Sequence, residues 1–560
     1  MGLTTALNTS LNGLALNETA IEVIGNNIAN AGTNGFKSSN VQFTTQLART
    51  LSVGSAPQGL NGGTNPRQIG LGATTASIRR DNSQGAITTS TSPSDLAIEG
   101  AGFFILSGTQ GQAYGRNGNF TLNNESKLVN AEGLRVQGFG IDEAFNIVKT
   151  QLDDIDIPLS RLNVAQETTN LLMEGSLLTD GNASVATQRG IIQTGAFTDA
   201  GNSDAAIVTG TLLSDVQSGG QDVFTVGETI HYTPSKGAAI YPEEAFEVTA
   251  SSTVDDLRLF FDDVLGLNEA DGEAGVAITA DGRFEFTSNA GETQDIGIPA
   301  GNELQMSDGA NLLQLDLGFE RVQTADGEGA VATFAVYDSL GEQLLVRMHS
   351  VLESRTPTTS IRYYLESADD SDRDTFLATG VFNLDADGLI TGDEVRNFTI
   401  NRGTTAAHDL AIDLDLSNIS GLSNSSSLTS TLNLLAQDGA PPGTLSSFNI
   451  NDSGVINGVF DNGIIRPLGQ IVLAQFPNEL GLIEGGSGTF LEGVSSGPAQ
   501  ILEPGNQGTG SIRAGAIELS NTDVGRNLVD LIVASTNYRG NARVISSTQQ
   551  LVDELLVLGR

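Results

Sequence analysis

Apolar residues near the start of the chain recur at alternating spacings of four and three, which is typical of one face of a helix. The positions on this face are Leu3, Leu7, Ser10, Leu14, Asn17, Ile21, Ile24 and Ile28. The pattern predicts a helix about 40 Å long at a rise of about 1.5 Å per residue. We expect it to end around 30–32, with a turn at Asn34 and Gly35.

The end of the chain carries a second stripe with the same spacing. Its positions are Leu528, Leu531, Ser535, Tyr538, Ala542, Ile545, Gln549, Val552 and Leu556. We expect an N-cap region at 521–523 and a helix end at Gly559. Gly540 lies inside this helix and should weaken it by about 1 kcal/mol relative to alanine.

Each stripe alone could be the core-facing side of an ordinary helix. However, both ends of the chain carry one and the interior is typical of strands, so each helix has no long helical partner except the other. We therefore predict that they pair, leave apolar surface for neighbouring copies and become fully ordered on assembly. The candidate assembly residues are Leu14, Ile21, Ile24, Ile28, Leu528, Leu531, Tyr538, Ile545 and Val552.

The interior contains short apolar runs bounded by turn residues, which indicate strands and hairpins. Examples are 97–106, 118–129 and 333–348. One helix interrupts them: Thr253 and Asp256 resemble a capping box, the next apolar residues have helical spacing, and Gly266 could end the helix. The predicted fold is mainly β with α-helical termini and a small α+β insertion near 185–320.

Composition supports several β-rich domains and excludes some partners. The chain has 560 residues, which predicts roughly two to four domains, and only 5% of them are aromatic against 67 glycines. Its 67 acidic and 27 basic residues give a formal charge of -40. This charge makes binding to nucleic acid or anionic lipid improbable. It fits either a soluble, concentrated exported protein or a salty habitat.

The chain has no cysteine, so disulfides, thiolate metal sites and cysteine nucleophiles are excluded. No apolar run is long enough to span a membrane, and we expect no membrane insertion. Residues 1–16 lack the features of a conventional cleaved signal peptide. Export, if it occurs, should therefore follow an unusual route.

Both ends contain recognisable motifs. Residues 26–37, NNIANAGTNGFK, closely follow the pattern NNIANxxTxGFK, and residues 515–523, GAIELSNTD, follow GALExSNVD. Residues 537–545, NYRGNARVI, are similar to xYQANAKVI, with Gly540 in place of Ala or Ser. Interior runs 95–104, 115–120 and 468–482 fit the same group. On these motifs the chain resembles the bacterial flagellar rod and hook axial proteins, and its length and insertion favour the hook.

The resemblance implies a structural subunit rather than an enzyme, with no cofactor. Its terminal helices would line a hollow, flexible tube that passes torque from rod to filament, and inserted domains would project outward. The implied partners are further copies, the rod and hook–filament junction proteins, a hook cap and the flagellar export apparatus. The implied location is extracellular, in the flagellum, after export without a cleaved signal.

The resemblance also implies a discontinuous domain order. We expect a terminal helical domain at 1–35 and 515–560, and an extended linker at 36–75. A β-rich core would comprise 76–150 and 405–514. An inserted β outer domain would comprise 151–184 and 321–404, with a further α+β insertion at 185–320.

Two alternatives stay open. The nearer one is a distal rod or hook-junction component of the same family. The other is a secreted calcium-dependent β-adhesin, because residues 383–394 fit an EF-hand loop, although predicted strands rather than helices flank it. The possible ligands are Asn383, Asp385, Asp387 and Glu394. We expect a β-hairpin turn here and no metal, and no histidine cluster or catalytic motif is present in the sequence.

Overall fold

The computed structural model describes residues 2–108, 111–184, 188–268, 274–309, 311–371, 374–403, 407–423 and 429–558. The chain divides into two compact units. Unit 1 comprises Met1–Asn163 with Thr444–Arg560, and unit 2 comprises Val164–Gly443. The fold is mainly β with a helix at each end, as predicted. The expected helix end at Gly559 lies outside the described residues.

The first part of the chain contributes one long helix and a series of short strands. In order they are α1 (Gly2–Ala29), β1 (Ser39–Thr45), β2 (Arg49–Ser52), β3 (Arg67–Ile69), β4 (Ala73–Arg80), β5 (Ile87–Thr89), β6 (Leu96–Glu99), β7 (Phe103–Gly108), β8 (Gly111–Gly115), β9 (Thr121–Leu122), β10 (Leu128–Val129), β11 (Arg135–Phe139), β12 (Asp153–Asp154) and β13 (Asn163–Gln166).

The middle part contains strands and one helix. They are β14 (Asn170–Leu178), β15 (Ile191–Gln193), β16 (Thr198–Asp199), β17 (Ala205–Ala206), β18 (Val216–Ser218), β19 (Gln221–Asp222), β20 (Thr229–Tyr232), β21 (Ser235–Lys236), β22 (Ala239–Ile240), β23 (Glu244–Glu247), α2 (Val254–Leu265), β24 (Gly275–Ile278), β25 (Phe284–Thr287), β26 (Leu304–Asp308), β27 (Asn311–Gln314), β28 (Glu320–Gln323), β29 (Gly329–Tyr337), β30 (Gln343–Ser354), β31 (Thr359–Glu366), β32 (Phe376–Leu384), β33 (Ile390–Thr391), β34 (Val395–Ile400), β35 (Leu410–Leu422) and β36 (Thr431–Gln437).

The last part returns to unit 1 and ends in the longest helix. Its elements are β37 (Ala440–Ile450), β38 (Val455–Phe460), β39 (Ile465–Ile471), β40 (Leu473–Gln475), β41 (Ile483–Gly486), β42 (Thr489–Leu491), β43 (Gln500–Leu502), β44 (Ser511–Ala514), β45 (Ala516–Glu518) and α3 (Val524–Leu558).

Strands from both halves of the chain interleave in the sheet of unit 1. The order is β37-β38-β39-β11-β7-β8-β42-β41, so β11 pairs with β39 and β8 pairs with β42. Phe103 of β7 packs edge-on against Phe476 and Phe490, at ring-centroid distances of 6.0 and 5.7 Å. Because Phe103 comes from the first half of the chain and Phe476 and Phe490 come from the second, neither half can complete this core alone.

The predicted strand–turn–strand at 97–106 forms two strands that do not make a hairpin. β6 pairs instead with β44, where Ile98 lies opposite Ile512. Gly100 and Gly102 have φ values of 120° and 121°, which lets the chain leave one sheet and enter another between β6 and β7. The hairpin prediction was wrong because local turn residues do not show that a distant strand is the better partner. The hairpins predicted at 118–129 and 333–348 are confirmed, as β9–β10 and β29–β30.

Unit 2 contains two hydrophobic cores. One lies among β14, β29–β32 and β34–β36, with Met173, Phe334 and Leu414 buried in it. In it, β14 pairs in parallel with β35, more than 200 residues away. The other lies around α2, where Phe261 contacts Phe286 at 5.2 Å between ring centroids.

The capping box and helix end predicted for α2 are confirmed. The Thr253 hydroxyl accepts from the Asp256 backbone amide, and the Asp256 carboxylate accepts from the Thr253 amide. Gly266 ends the helix in the left-handed region with φ of 55°. The finer division into 36–75, 76–150 with 405–514, 151–184 with 321–404, and 185–320 stays a prediction.

Candidate assembly interface

The two terminal helices pack against each other in an antiparallel arrangement. Asn27 near the end of α1 donates to Asn527 near the start of α3, at 3.2 Å. Fourteen residues earlier on α1, Gly13 lies against Asn541, where a Cβ atom would be only 2.7 Å from the amide nitrogen. Asn541 is fourteen residues later on α3, so the register is continuous between the two contacts. The predicted pairing of the terminal helices is confirmed.

Only one side of α3 is covered by the rest of unit 1. Ala534 and Thr548 are buried on that side. Large apolar residues occupy the uncovered surface, and Ile532 and Leu556 are each 66% exposed. The others are Leu528, Val529, Val533, Tyr538, Val544, Leu551, Leu555 and Val557. So many exposed large apolar residues on one helix are typical of an interaction site rather than of the surface of a monomer.

The candidate assembly residues occupy two kinds of position. Seven are half-buried, and these are Leu14, Ile21, Ile24, Ile28, Leu531, Ile545 and Val552. Leu528 and Tyr538 are exposed on the uncovered side of α3. Most of the predicted seam is therefore partly covered within one chain, and the role of these nine residues between copies stays a prediction.

Sequence reasoning missed the exposed apolar residues that lie off the seam, such as Ile532 and Leu555. The prediction used positions at alternating spacings of four and three residues, and such positions lie on only one face of a helix. The available signal was that apolar residues of α3 occur on more than one face, which is unusual for a helix that only covers a core.

A buried ionic cluster joins the chain segments that follow α1 and precede α3. The Lys37 ammonium is 2.7 Å from one Glu518 carboxylate oxygen, and Arg116 is 3.7 Å from the other. The three side chains are at most 5% exposed. The Glu518 carboxylate also accepts from the Gly85 backbone amide at 2.8 Å. Burial, with Arg116 nearby, lowers the pKa of Lys37, while Glu518 opposes this shift.

Two asparagines complete the connection by binding backbone groups. The Asn27 side chain donates to the Ser39 carbonyl at 2.8 Å and accepts from the Ser39 amide at 2.9 Å. The Asn521 side chain accepts from the Ser38 amide at 2.8 Å and donates to the Asp81 carbonyl at 2.8 Å. These bonds satisfy backbone groups of the strand that leaves α1 and fix the direction in which both helices emerge.

We call Asn27, Lys37, Arg116, Glu518 and Asn521 the terminal anchor. Four of the five belong to the two terminal motifs, and Arg116 belongs to the interior run 115–120. Apolar periodicity does not report polar contacts, so the motifs predicted an N-cap region at 521–523 but not the ionic cluster. The one available signal was that Lys37 is one of only four lysines in the chain.

A second buried ionic cluster lies in unit 2. The Lys236 ammonium is 2.5 Å from Glu366, and neither side chain is exposed. Tyr241 and Gln294 donate to the same carboxylate. His349 lies 3.7 Å from it, with no hydrogen-bond partner on either ring nitrogen among the described residues. Burial lowers the pKa of His349 to about 4, despite the opposing effect of Glu366.

The loop 383–394 forms the turn between β32 and β33 rather than a helix–loop–helix. The Asp385 carboxylate accepts from the amides of Asp387 and Leu389, both at 2.9 Å. Asn383 accepts from Ser360. Glu394 lies beyond β33, and calcium binding by this loop stays untested. Among the described residues, no cluster of three or more acidic or histidine side chains is arranged to hold a metal.

In the part of the chain that the structure describes, no helix is long and apolar enough to cross a membrane. The two terminal helices of unit 1 form an antiparallel pair with exposed large apolar residues on α3, an arrangement typical of an oligomerisation surface.

Three family models match the chain at separate places. The flagella basal body rod protein model matches residues 7–37, the flagellar hook protein FlgE/F/G D1 domain matches 97–185, and the flagellar basal body rod FlgEFG protein C-terminal model matches 513–558. The first match contains α1 from residue 7 onward and the last contains α3, and together they include four residues of the terminal anchor.

Similarity to curated proteins extends over the whole chain. The flagellar hook protein FlgE of Borreliella burgdorferi is 27% identical over 559 residues, covering 99% of both chains. The FlgE protein of Escherichia coli is 25% identical and covers 99% of this chain and 100% of its own. A solved structure, Helicobacter pylori flagellar hook protein FlgE2, aligns at 16% identity and a TM-score of 0.37, covering 76% of this chain and 99% of that one. The family models at both ends and in the interior, with the full-length similarity to curated FlgE proteins, support a flagellar hook protein.

Proposed function

We propose that this chain is the structural subunit of a bacterial flagellar hook, which polymerises through α1 and α3 into a hollow, flexible tube and transmits torque from rod to filament. The observation that carries the proposal is the uncovered apolar side of α3, at the end of a chain similar to hook proteins along its whole length. Burying that surface between copies is the favourable term that would drive polymerisation.

The family is structural, and the place of the protein is the flagellum outside the cell. As finer parts of the proposal, the subunit leaves through the flagellar export apparatus without a cleaved signal, and a hook cap assists its assembly. Its axial neighbours are rod and hook–filament junction proteins.

The two alternatives are not favoured. The rod protein FlgG of Bacillus subtilis is 41% identical, but over only 131 residues, or 23% of this chain. The calcium-dependent adhesin leaves the paired terminal helices unexplained. Thermal melting with calcium and with a chelator separates it from the hook protein, since a ligand that binds only the folded state raises stability.

The variant Ile24→Asp tests the role of the terminal helices. Ile24 is half-buried and lines a groove with Val533 and Ala534. An aspartate there should leave a folded core with near-native circular dichroism but abolish sedimentable polymer. The control is Leu340→Asp, which makes the same chemical change at an exposed turn of unit 2 and should polymerise. Normal polymer from Ile24→Asp would contradict the proposed role of the seam.

A further inference from the structure

The charges of α1 are few and all of one sign. Glu18 and Glu22 are the only charged residues of this helix, and both are exposed. They are four residues apart, so they lie on one face about one turn from each other. Neither carboxylate has an ion-pair or hydrogen-bond partner among the residues that the structure describes.

α3 carries a matching pair of the opposite sign. Arg539 and Arg543 are also four residues apart and exposed, and they too have no partner within the described ranges. The nearest other cation of this helix, Arg526, lies 4.0 Å from Asp530 of its own helix. Among the described residues, each terminal helix therefore presents an unpaired pair of like charges four residues apart on its exposed surface.

The register of the helix pair explains why the two groups do not meet within one chain. Gly13 faces Asn541, so the arginine pair lies level with the segment 11–15 of α1. The glutamate pair, centred on position 20, is about seven residues further along, which is roughly 10 Å at 1.5 Å per residue. A second copy with the same orientation, shifted along the helix axis by about this distance, would bring one copy's glutamates level with the other's arginines.

We propose that Glu18 and Glu22 of one copy pair with Arg543 and Arg539, respectively, of a neighbouring, axially staggered copy. The inference rests on the proposed function, because it needs a polymer in which the helix pairs lie side by side. Pairing two glutamates with two arginines also determines the axial shift between the copies. Two copies at the same axial level would keep the glutamates and arginines about 10 Å apart. In a chain of net charge -40, these contacts also offset part of the repulsion between copies.

The test exchanges the charges in cells whose own copy of the gene carries the change. The first variant is Glu18→Arg with Glu22→Arg, and the second is Arg539→Glu with Arg543→Glu. Each double variant places like charges opposite each other at every proposed contact between copies. The number of hooks per cell in electron micrographs should therefore fall at least about tenfold. Export should continue, so the unassembled subunit should appear in the culture medium.

Two rescues separate pairing from a general defect. The fourfold variant, with both exchanges in one chain, restores opposite charges at every contact and should restore hooks. Co-expression of the two double variants should do the same, because alternating copies of the two chains again place arginine opposite glutamate. The control is Glu247→Arg with Asp393→Arg, which makes the same change in net charge as the glutamate exchange at two exposed positions of unit 2 and should leave hook number unchanged.

The outcomes distinguish this inference from the proposed function. Normal hook numbers in both double variants, or a lasting defect in both rescues, would overturn the pairing and leave the hook function intact. Hooks that persist after deletion of the gene would overturn the proposed function, and the pairing with it.

Discussion

At the scale of single residues, the terminal anchor connects the terminal helices to the β-unit. Glu518 lies between two buried cations, Lys37 and Arg116. A buried ion pair contributes little net stability compared with apolar residues, but the loss of one partner leaves an uncompensated charge. The anchor therefore acts mainly by fixing one geometry for the emerging helices.

The variant Glu518→Gln should strongly destabilise unit 1. It removes the carboxylate that pairs with two buried cations, and we expect a loss of about 3–5 kcal/mol in the free energy of unfolding. Urea unfolding followed by circular dichroism measures this loss. The control is Glu125→Gln, which breaks the exposed pair with Arg135 and should cost less than about 1 kcal/mol. Equal stability of the two variants would contradict the anchor.

The buried His349 predicts a pH dependence of unit 2. Glu366 faces this imidazole and favours its protonation, whereas Lys236 and Arg347 oppose it. The pKa of His349 is about 4 in the folded chain against an ordinary value of 6.5. As the pH falls from 6.5 to 4, His349 binds a proton in the unfolded chain before it does so in the folded chain. The contribution of His349 to the free energy of unfolding is therefore complete above pH 6.5 and decreases by about 3 kcal/mol towards pH 4.

Tyrosine fluorescence measures this effect in unit 2, which contains five of the seven tyrosines. The comparison is between the unaltered chain and His349→Gln, so that carboxylates titrating in both proteins cancel. The variant should lose less stability than the unaltered chain between pH 6.5 and 4. Parallel pH profiles of the two proteins would show that His349 is not the group responsible.

At the scale of elements, the helices were predictable because their information is local. α1 ends at Ala29, close to the expected stop at 30–32, and the capping residues of α2 fixed both its ends. Most strands were harder to predict from the sequence, because many have only two or three residues and form only by pairing with a distant strand. β6 is such a strand, because its partner β44 is more than 400 residues away.

A matched pair of glycine substitutions tests the packing of α1 on α3. At Gly540 a Cβ atom would meet no atom within 4 Å, so Gly540→Ala should stabilise α3 by about 1 kcal/mol through helix propensity alone. At Gly13 the same atom would lie 2.7 Å from Asn541, so Gly13→Ala should lose that gain by displacing the side chain. Hydrogen exchange of the helices in the monomer measures both. A similar gain at the two positions would contradict the packed interface.

At the scale of the whole molecule, the sequence predicted the fold class and the terminal helices but not the anchor that holds them. The helices were predictable because apolar periodicity is a local pattern that shows which face of a helix is covered. The anchor was not, because Lys37 and Glu518 are 481 positions apart in the sequence and meet only in the folded chain. The same long-range contact brings the two ends of the chain together, so that one contact between copies can involve both α1 and α3.

The central claim is that this protein forms the hook. Immunogold electron microscopy of detached flagella, with an antibody against residues 185–320, tests it most directly. We predict label confined to the short curved segment between rod and filament. Label on the rod or the filament junction would agree with a flagellar axial protein but contradict the assignment to the hook. An unlabelled flagellum, with the protein elsewhere on the cell surface, would contradict the whole account.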